Sequence, residues 1–268
     1  MISGRRTAAV VLRQYYLLRG SVARIPPLFA WVAIDITLWG FITRYLNSVS
    51  NAGFNFVPAL LGAVLLWDFF IRVMQGVTTA FLEDVWSRNF LNFFATPLSI
   101  SEYLGGLILS SISTSTAGVA VMLLLASFVF GLSFLIYGSL LAPFLLLLFL
   151  FGIALGVIAC AVVLRLGPAS EWFIWPIPAV ISPFAGVFYP IATLPKWMQW
   201  ISHLLAPSYV FEGMRAIVAR RAVPVDSLIW AAGLDVVALA AAYWFFRYVY
   251  RHAVRTGLIA RYSAESLS

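Results

Sequence analysis

Charge is scarce in this sequence: Asp, Glu, Lys and Arg together make up 10% of the 268 residues, against roughly a quarter in an ordinary soluble domain. Lysine is almost missing. Its single example, Lys196, stands between Pro195 and Trp197, so no glycine-rich turn leads into a lysine that could reach nucleotide phosphates, and a P-loop ATPase is excluded within this chain. Two histidines, His203 and His252, fall on opposite expected sides of a membrane with no cysteine cluster beside them, which argues against a metal site. His203 follows Ser202 directly, and sequence neighbours diverge on a helix, so a serine–histidine–carboxylate arrangement is not expected either. The one cysteine, Cys160, sits inside an apolar run, where it can form no disulfide within the chain and reads as a packing residue.

What fills the space left by charge is apolar. Hydrophobic residues reach 63% and mean hydropathy is +0.97, and stretches such as 117–130 and 139–164 carry almost no polar side chain with which to face water. A bilayer supplies the missing apolar surroundings. A crossing helix needs about 20 predominantly apolar residues, and that ruler gives six spans: Ile25 to Leu46, Phe54 to Leu82, Tyr103 to Phe130, Ile136 to Leu164, Trp172 to Ile191 and Leu228 to Tyr248. The expected fold is therefore an all-α polytopic membrane protein of six transmembrane helices. The first run is about as long as a full crossing and lacks a small-residue cleavage pattern, so it is expected to remain in the mature protein.

The net charge of +7 would suggest nucleic acid in a soluble protein. Here the arginines sit beside the hydrophobic runs, as residues that set membrane orientation do, and no nucleic-acid partner is expected. With both termini inside, that side carries Arg5, Arg6, Arg13, Arg19, Arg24, Arg88, Arg165, Arg247, Arg251, Arg255 and Arg261, against Lys196, Arg215, Arg220 and Arg221 outside. Both termini are thus expected in the cytoplasm.

Residues 1–24 read as an amphipathic interface helix, with Val11, Tyr15, Leu18 and Val22 at helical spacing and arginines at other angles. The six-span domain occupies 25–250 and a cytoplasmic tail 251–268. A polar interruption at about 83–97 puts Trp86, Phe90 and Phe93 on one side of a short helix that Pro97 ends. Ser99 and Glu102 then have the spacing of a capping box at the opening of the third span. Between Trp172 and Arg221, Pro176, Pro178, Pro183, Pro190, Pro195 and Pro207 forbid one straight helix; a kinked fifth span followed by short re-entrant outer helices, about 183–221, is expected.

Charges inside the spans cost roughly 2.5–3.5 kcal/mol each at mid-membrane and mark functional candidates. They are Asp35, Asp68, Arg72 and Asp235. Asp68 and Arg72, four apart, can neutralise each other. Asp35 and Asp235 have no partner in their own spans, so pairing across helices, a hydrated path and proton carriage stay open. Arg44, near the outer end of the first span, is expected to snorkel to the headgroups.

Two stretches together resemble the type-2 family of ATP-binding-cassette (ABC) exporter permeases. One is Phe94-Ala-Thr-Pro-Leu-Ser-Ile-Ser-Glu-Tyr-Leu-Gly105; the other is Gly186-Val-Phe-Tyr-Pro-Ile191 with Leu194-Pro-Lys-Trp-Met-Gln-Trp-Ile201, Pro207 and Glu212-Gly-Met-Arg215. The chain departs from the family run at Gly106, where a basic residue is common, and at Ala206, where asparagine is common. The resemblance implies a permease in a bacterial cytoplasmic membrane that exports an amphipathic or hydrophobic substrate. It further implies a homodimer, or a pair of related permeases, bound to two copies of a cytoplasmic ABC ATPase. The chain itself needs no cofactor and is not an enzyme; ATP and Mg belong to the partner. Carried over by position, 83–97 becomes the coupling helix, with Glu83, Asp84, Trp86, Arg88, Phe90 and Phe93 facing the ATPase. Pro183, Phe188, Tyr189, Pro190, Trp197, Glu212 and Arg215 become an outer re-entrant gate.

Two other classes compete. An ion-coupled secondary transporter or channel would use Asp35 and Asp235, but the inverted repeats common in such folds are not visible. A membrane enzyme or scaffold lacks a catalytic cluster.

Overall fold

The computed structural model describes residues 3–20, 25–49, 57–87, 92–93 and 95–258. Every regular element among them is helical: α1 (Gly4–Arg19), α2 (Ile25–Val49), α3 (Gly62–Trp86), α4 (Ile100–Phe130), α5 (Leu141–Leu166), α6 (Glu171–Ile174), α7 (Ile177–Ala185), α8 (Lys196–Ser202), α9 (Ala206–Val218) and α10 (Val225–Thr256). Helix is what apolar sequence must form in lipid, because each backbone polar group then finds its partner inside its own segment.

Among the described residues, four helical stretches are long and apolar enough to cross a membrane: Val57–Trp86, Ile100–Phe130, Phe134–Leu166 and Val225–Thr256. At about 1.5 Å per residue they run some 45–50 Å, well beyond a hydrocarbon core of about 30 Å. The 32-residue α10 extends the expected sixth span at both ends.

Local chemistry sets the boundaries. α4 opens at the expected capping box: the Ser99 hydroxyl accepts from the Glu102 amide at 3.3 Å, and the Glu102 carboxylate accepts from the Ser99 amide at 2.8 Å. It closes at Gly131, whose left-handed φ of +67° carries the C-cap. α5 follows a 3-10 turn, Phe134–Leu140, broken at Gly138. The expected fifth span is not one kinked helix but two pieces, α6 and α7, parted at Trp175 and Pro176 and ended by Gly186 at φ +62°. Proline lacks the amide that would carry the helix through, and glycine alone takes that φ without strain. The nine residues of α7 rise only about 14 Å.

The core is built on α5, which packs along both α3 and α10. Gly152 and Gly156 of α5 face α3 so closely that an added Cβ would lie 3.0 Å from Val73 Cβ and 3.1 Å from the Phe70 carbonyl at the first, and 3.0 Å from the Met74 carbonyl at the second. Cys160, one turn on, is fully buried with its thiol 3.9 Å from the Val77 carbonyl. Small residues four apart are how helices approach where lipid offers no hydrophobic drive. A second, smaller core joins Ile36, Leu61, Leu65, Met122, Ala126 and Phe130 around the ends of α2 and α4. There the Arg44 guanidinium donates to the Val129 carbonyl at 2.6 Å and lies 5.1 Å from the Phe130 ring centroid, so it closes the end of α4 rather than only reaching for headgroups.

Candidate coupling junction and outer cap

The polar interruption after the second apolar stretch is the natural place for chemistry. Glu83, Asp84 and Trp86 belong to the last turn of α3, continuous with the long helix rather than part of a separate short one. Trp86 is half-exposed and Glu83 partly buried, whereas Asp84 points inward and is wholly buried. That orientation differs from the expected ATPase-facing one, and the reason is electrostatic. The Asp84 carboxylate pairs with the Arg13 guanidinium of α1 at 2.5 Å and accepts a hydrogen bond from the Tyr103 hydroxyl of α4 at 2.7 Å. Three helices therefore meet on one buried carboxylate. Phe93 completes the cluster: the Arg13 guanidinium lies 4.7 Å from its ring centroid, and the Tyr103 ring 5.7 Å away. Arg88 and Phe90 lie outside the described residues.

A second clamp is built on Glu102, the residue before Tyr103. The Ser3 amide donates to Glu102 at 2.6 Å, Arg6 donates to the Pro97 carbonyl at 2.6 Å, and Arg6 sits 3.6 Å from the Glu102 carboxylate. Glu102 thus caps α4 and holds α1 with the same carboxylate. Gly106 makes the approach possible, because a Cβ there would meet Val10 Cβ at 2.5 Å. The docked side of α1 is Val10 and Gln14, both buried, while Leu12, Tyr15 and Tyr16 remain exposed. The expected apolar stripe of Val11, Tyr15 and Leu18 is therefore not the side that binds protein; Val22 lies outside the described residues.

At the opposite end, the expected gate residues converge. The Glu212 carboxylate accepts from the Ile191 amide at 2.7 Å and lies 3.1 Å from the Arg215 guanidinium, which donates to the Gly186 carbonyl at 2.7 Å. Tyr189 donates to the Pro183 carbonyl at 3.0 Å, and Pro190 precedes the short turn Ile191–Thr193. Phe188 stacks on Trp39 of α2 with ring centroids 4.9 Å apart, and Trp197 meets Phe184 edge-on at 6.3 Å. This knot ties α7, the loop after it and α9 together. Substituting Glu212 by alanine leaves the Ile191 amide and Arg215 without their shared acceptor, and is expected to cost about 1–3 kcal/mol. Thermal unfolding in detergent checks it: Glu212→Gln, which keeps an acceptor oxygen, should lose clearly less than Glu212→Ala.

The intramembrane charges do not form one site. Asp68 and Arg72 share a face of α3 within electrostatic reach, and Asp35 of α2 is also close enough to act on Asp68. The Arg72 side chain lies against Gly118 of α4, where an added Cβ would come within 2.7 Å of its Cδ. Asp235 stands apart on α10, fully buried, and neither carboxylate oxygen has a hydrogen-bond partner among the described residues. The described residues hold no group of three or more His, Cys, Asp or Glu suited to a metal ion.

Reading from sequence missed Arg13, Tyr103 and the double use of Glu102 at the junction of α1, α3 and α4. It also passed over Gly152 and Gly156, whose Gly-x-x-x-Gly spacing is a visible signal of close helix packing.

No curated protein matches the chain. The family model described as ABC-2 type transporter matches residues 9–219, a stretch that begins inside α1, takes in Arg13, Asp84, Phe93 and Tyr103 and ends just past Arg215. The match covers well over half of the sequence, and with the long apolar helices it makes this chain a member of the ABC-2 type transporter family, the membrane permease component of an ABC transporter.

Proposed function

We propose that the chain is the permease of an ABC exporter, working with two copies of a cytoplasmic ATP-binding-cassette ATPase and a second permease, most simply another copy of itself. On this reading it crosses a bacterial cytoplasmic membrane six times, α2 and the broken α6–α7 stretch supplying the first and fifth crossings, with both termini inside. ATP and Mg bind in the partner; this chain supplies the path and the grip. The substrate class is amphipathic or hydrophobic: a lipid, a lipid-linked glycan or a drug-like molecule.

One observation carries the reading. The end of α3 is held to α1 and α4 through Asp84, Arg13 and Tyr103, and Phe93 packs against Arg13, while Trp86 beside them stays half-exposed. A buried polar anchor under an exposed aromatic is what a force-bearing contact requires, because the aromatic can seat in a partner's pocket while the anchor passes its displacement to rigid helices. Closure of the ATPases on nucleotide would push this junction, separate the inner ends of α3 and α4 from the neighbouring protomer, and open a path closed above by the Glu212–Arg215 knot.

Alanine at both Trp86 and Phe90 tests the contact. The doubly substituted permease is expected to lose most co-purification with its ATPase and most stimulation of ATP hydrolysis while keeping its own unfolding midpoint. Undiminished stimulation would remove the assignment. The ion-coupled alternative rests on buried Asp235; transport persisting without any ATPase would promote it.

A further inference from the structure

α10 carries a surface that the coupling scheme leaves unused. Along one face of α10, at spacings of seven, seven, four, three and four, stand Trp230, Val237, Trp244, Tyr248, Arg251 and Arg255, all exposed. Arg247, also exposed, sits one turn before Arg251. The three arginines repeat at i, i+4 and i+8, a spacing at which like charges repel. None of them makes an ion pair among the described residues, and α10 has no acidic residue after Asp235.

The level of this ridge is fixed by a contact. The Tyr243 hydroxyl lies 3.0 Å from the Ser101 hydroxyl in the first turn of α4, so α10 passes the polar opening of α4 there and continues for about 20 Å more. Trp244 and Tyr248 stack with centroids 6.0 Å apart and planes 15° apart. Read outward from the middle of α10, the chemistry runs from aliphatic at Val237, through amphipathic aromatics about 10 Å further on, to guanidinium within another 10 Å. That is the polarity profile of one bilayer leaflet, from hydrocarbon through the interface to the phosphates.

We propose that Arg247, Arg251 and Arg255, with Trp244 and Tyr248, form a binding surface for anionic phospholipid headgroups of the leaflet on that side. The proposal rests on the orientation given above, in which this is the inner leaflet, where anionic lipid attracts basic side chains near the surface. Lipid is favoured over an acidic patch on a partner protein because the ridge continues the apolar, exposed face of α10 without a break. The aromatic pair would otherwise be left in water.

The test uses the full chain in nanodiscs of phosphatidylcholine containing a minority of phosphatidylglycerol. Native mass spectrometry then measures which lipid stays with the protein. The wild type should retain phosphatidylglycerol preferentially, and the preference should fall roughly fivefold for each arginine changed to glutamine and weaken in high salt. A triple Arg→Lys variant should keep most of it, and that control stands even if the triple glutamine variant is poorly folded. Equal retention of both lipids by the wild type, or undiminished preference in a well-folded triple glutamine variant, would overturn the proposal. So would a triple glutamine variant that keeps its lipid but no longer co-purifies with the ATPase, since the ridge would then be a motor contact. Recovery of the wild type without detergent and without any bound lipid would instead remove the membrane reading itself.

Discussion

Asp84→Ala is expected to lower the unfolding midpoint of the detergent-solubilised chain by on the order of 10 °C and to abolish coupling to the ATPase. Breaking a buried ion pair by removing one partner costs ~3–5 kcal/mol, because the remaining charge stays desolvated without compensation, and in a chain of this size each kcal/mol shifts the midpoint by roughly 2–4 °C. Here the loss falls on Arg13, three-quarters buried at its side chain, and on the Tyr103 hydroxyl, which is buried with it. Arg13→Ala should cost about as much by stranding the carboxylate. The Arg13→Met, Asp84→Leu double variant should cost less than either single change, since a buried pair replaced by apolar groups of similar size is often neutral. That double variant separates stability from coupling: if the cluster also transmits force, ATPase stimulation stays low although the fold has recovered. Strict additivity of the two single losses would mean that the side chains do not act on each other.

Gly156→Leu, alone or with Gly152→Leu, should produce the other large effect. The space opposite Gly156 is backbone, the Met74 carbonyl at 3.0 Å from an added Cβ, and backbone cannot rotate away as a side chain can. Overpacking at such a site costs about 1–3 kcal/mol, and moving α5 off α3 also loosens the contact of α5 with α10 along the rest of its length. Gly156→Ala should be mild, Gly156→Leu severe and the double leucine variant largely aggregated on size exclusion. A double leucine variant that elutes and melts like the wild type would mean that the helices do not meet there.

Long, strongly apolar helices were legible in the sequence because their signal is length, and length survives without knowledge of contacts. The capping box at Ser99 and Glu102 was legible for the complementary reason: both partners lie within one turn, so spacing alone predicts the bonds. The proline-rich stretch reads as interrupted but not as two separate helices, since proline marks where a helix cannot run and not how its pieces end; Gly186 decides that. Asp84 was the clearest limit. Its neighbours Glu83 and Trp86 read as part of a separate short helix, whereas they continue the last turn of α3. Its own orientation depends on Arg13 and Tyr103, far away in sequence, and helical spacing in α1 could not say which side of that helix would find a partner. The same holds for Glu102, whose second role is visible only once α1 is packed against α4.

The clamp on α1 has a consequence for the order in which the chain assembles. α1 leaves the ribosome before the residues that anchor it: Ser3 must find Glu102, 99 residues further on. At about 5–20 residues per second, that partner emerges roughly 5–20 s after α1 itself. Through that interval the arginines of α1 have only water and lipid phosphates to hold, so the bilayer surface is the helix's first host and the protein its second. Docking of α1 is thereby a late checkpoint, open only to chains whose α4 has already begun to emerge.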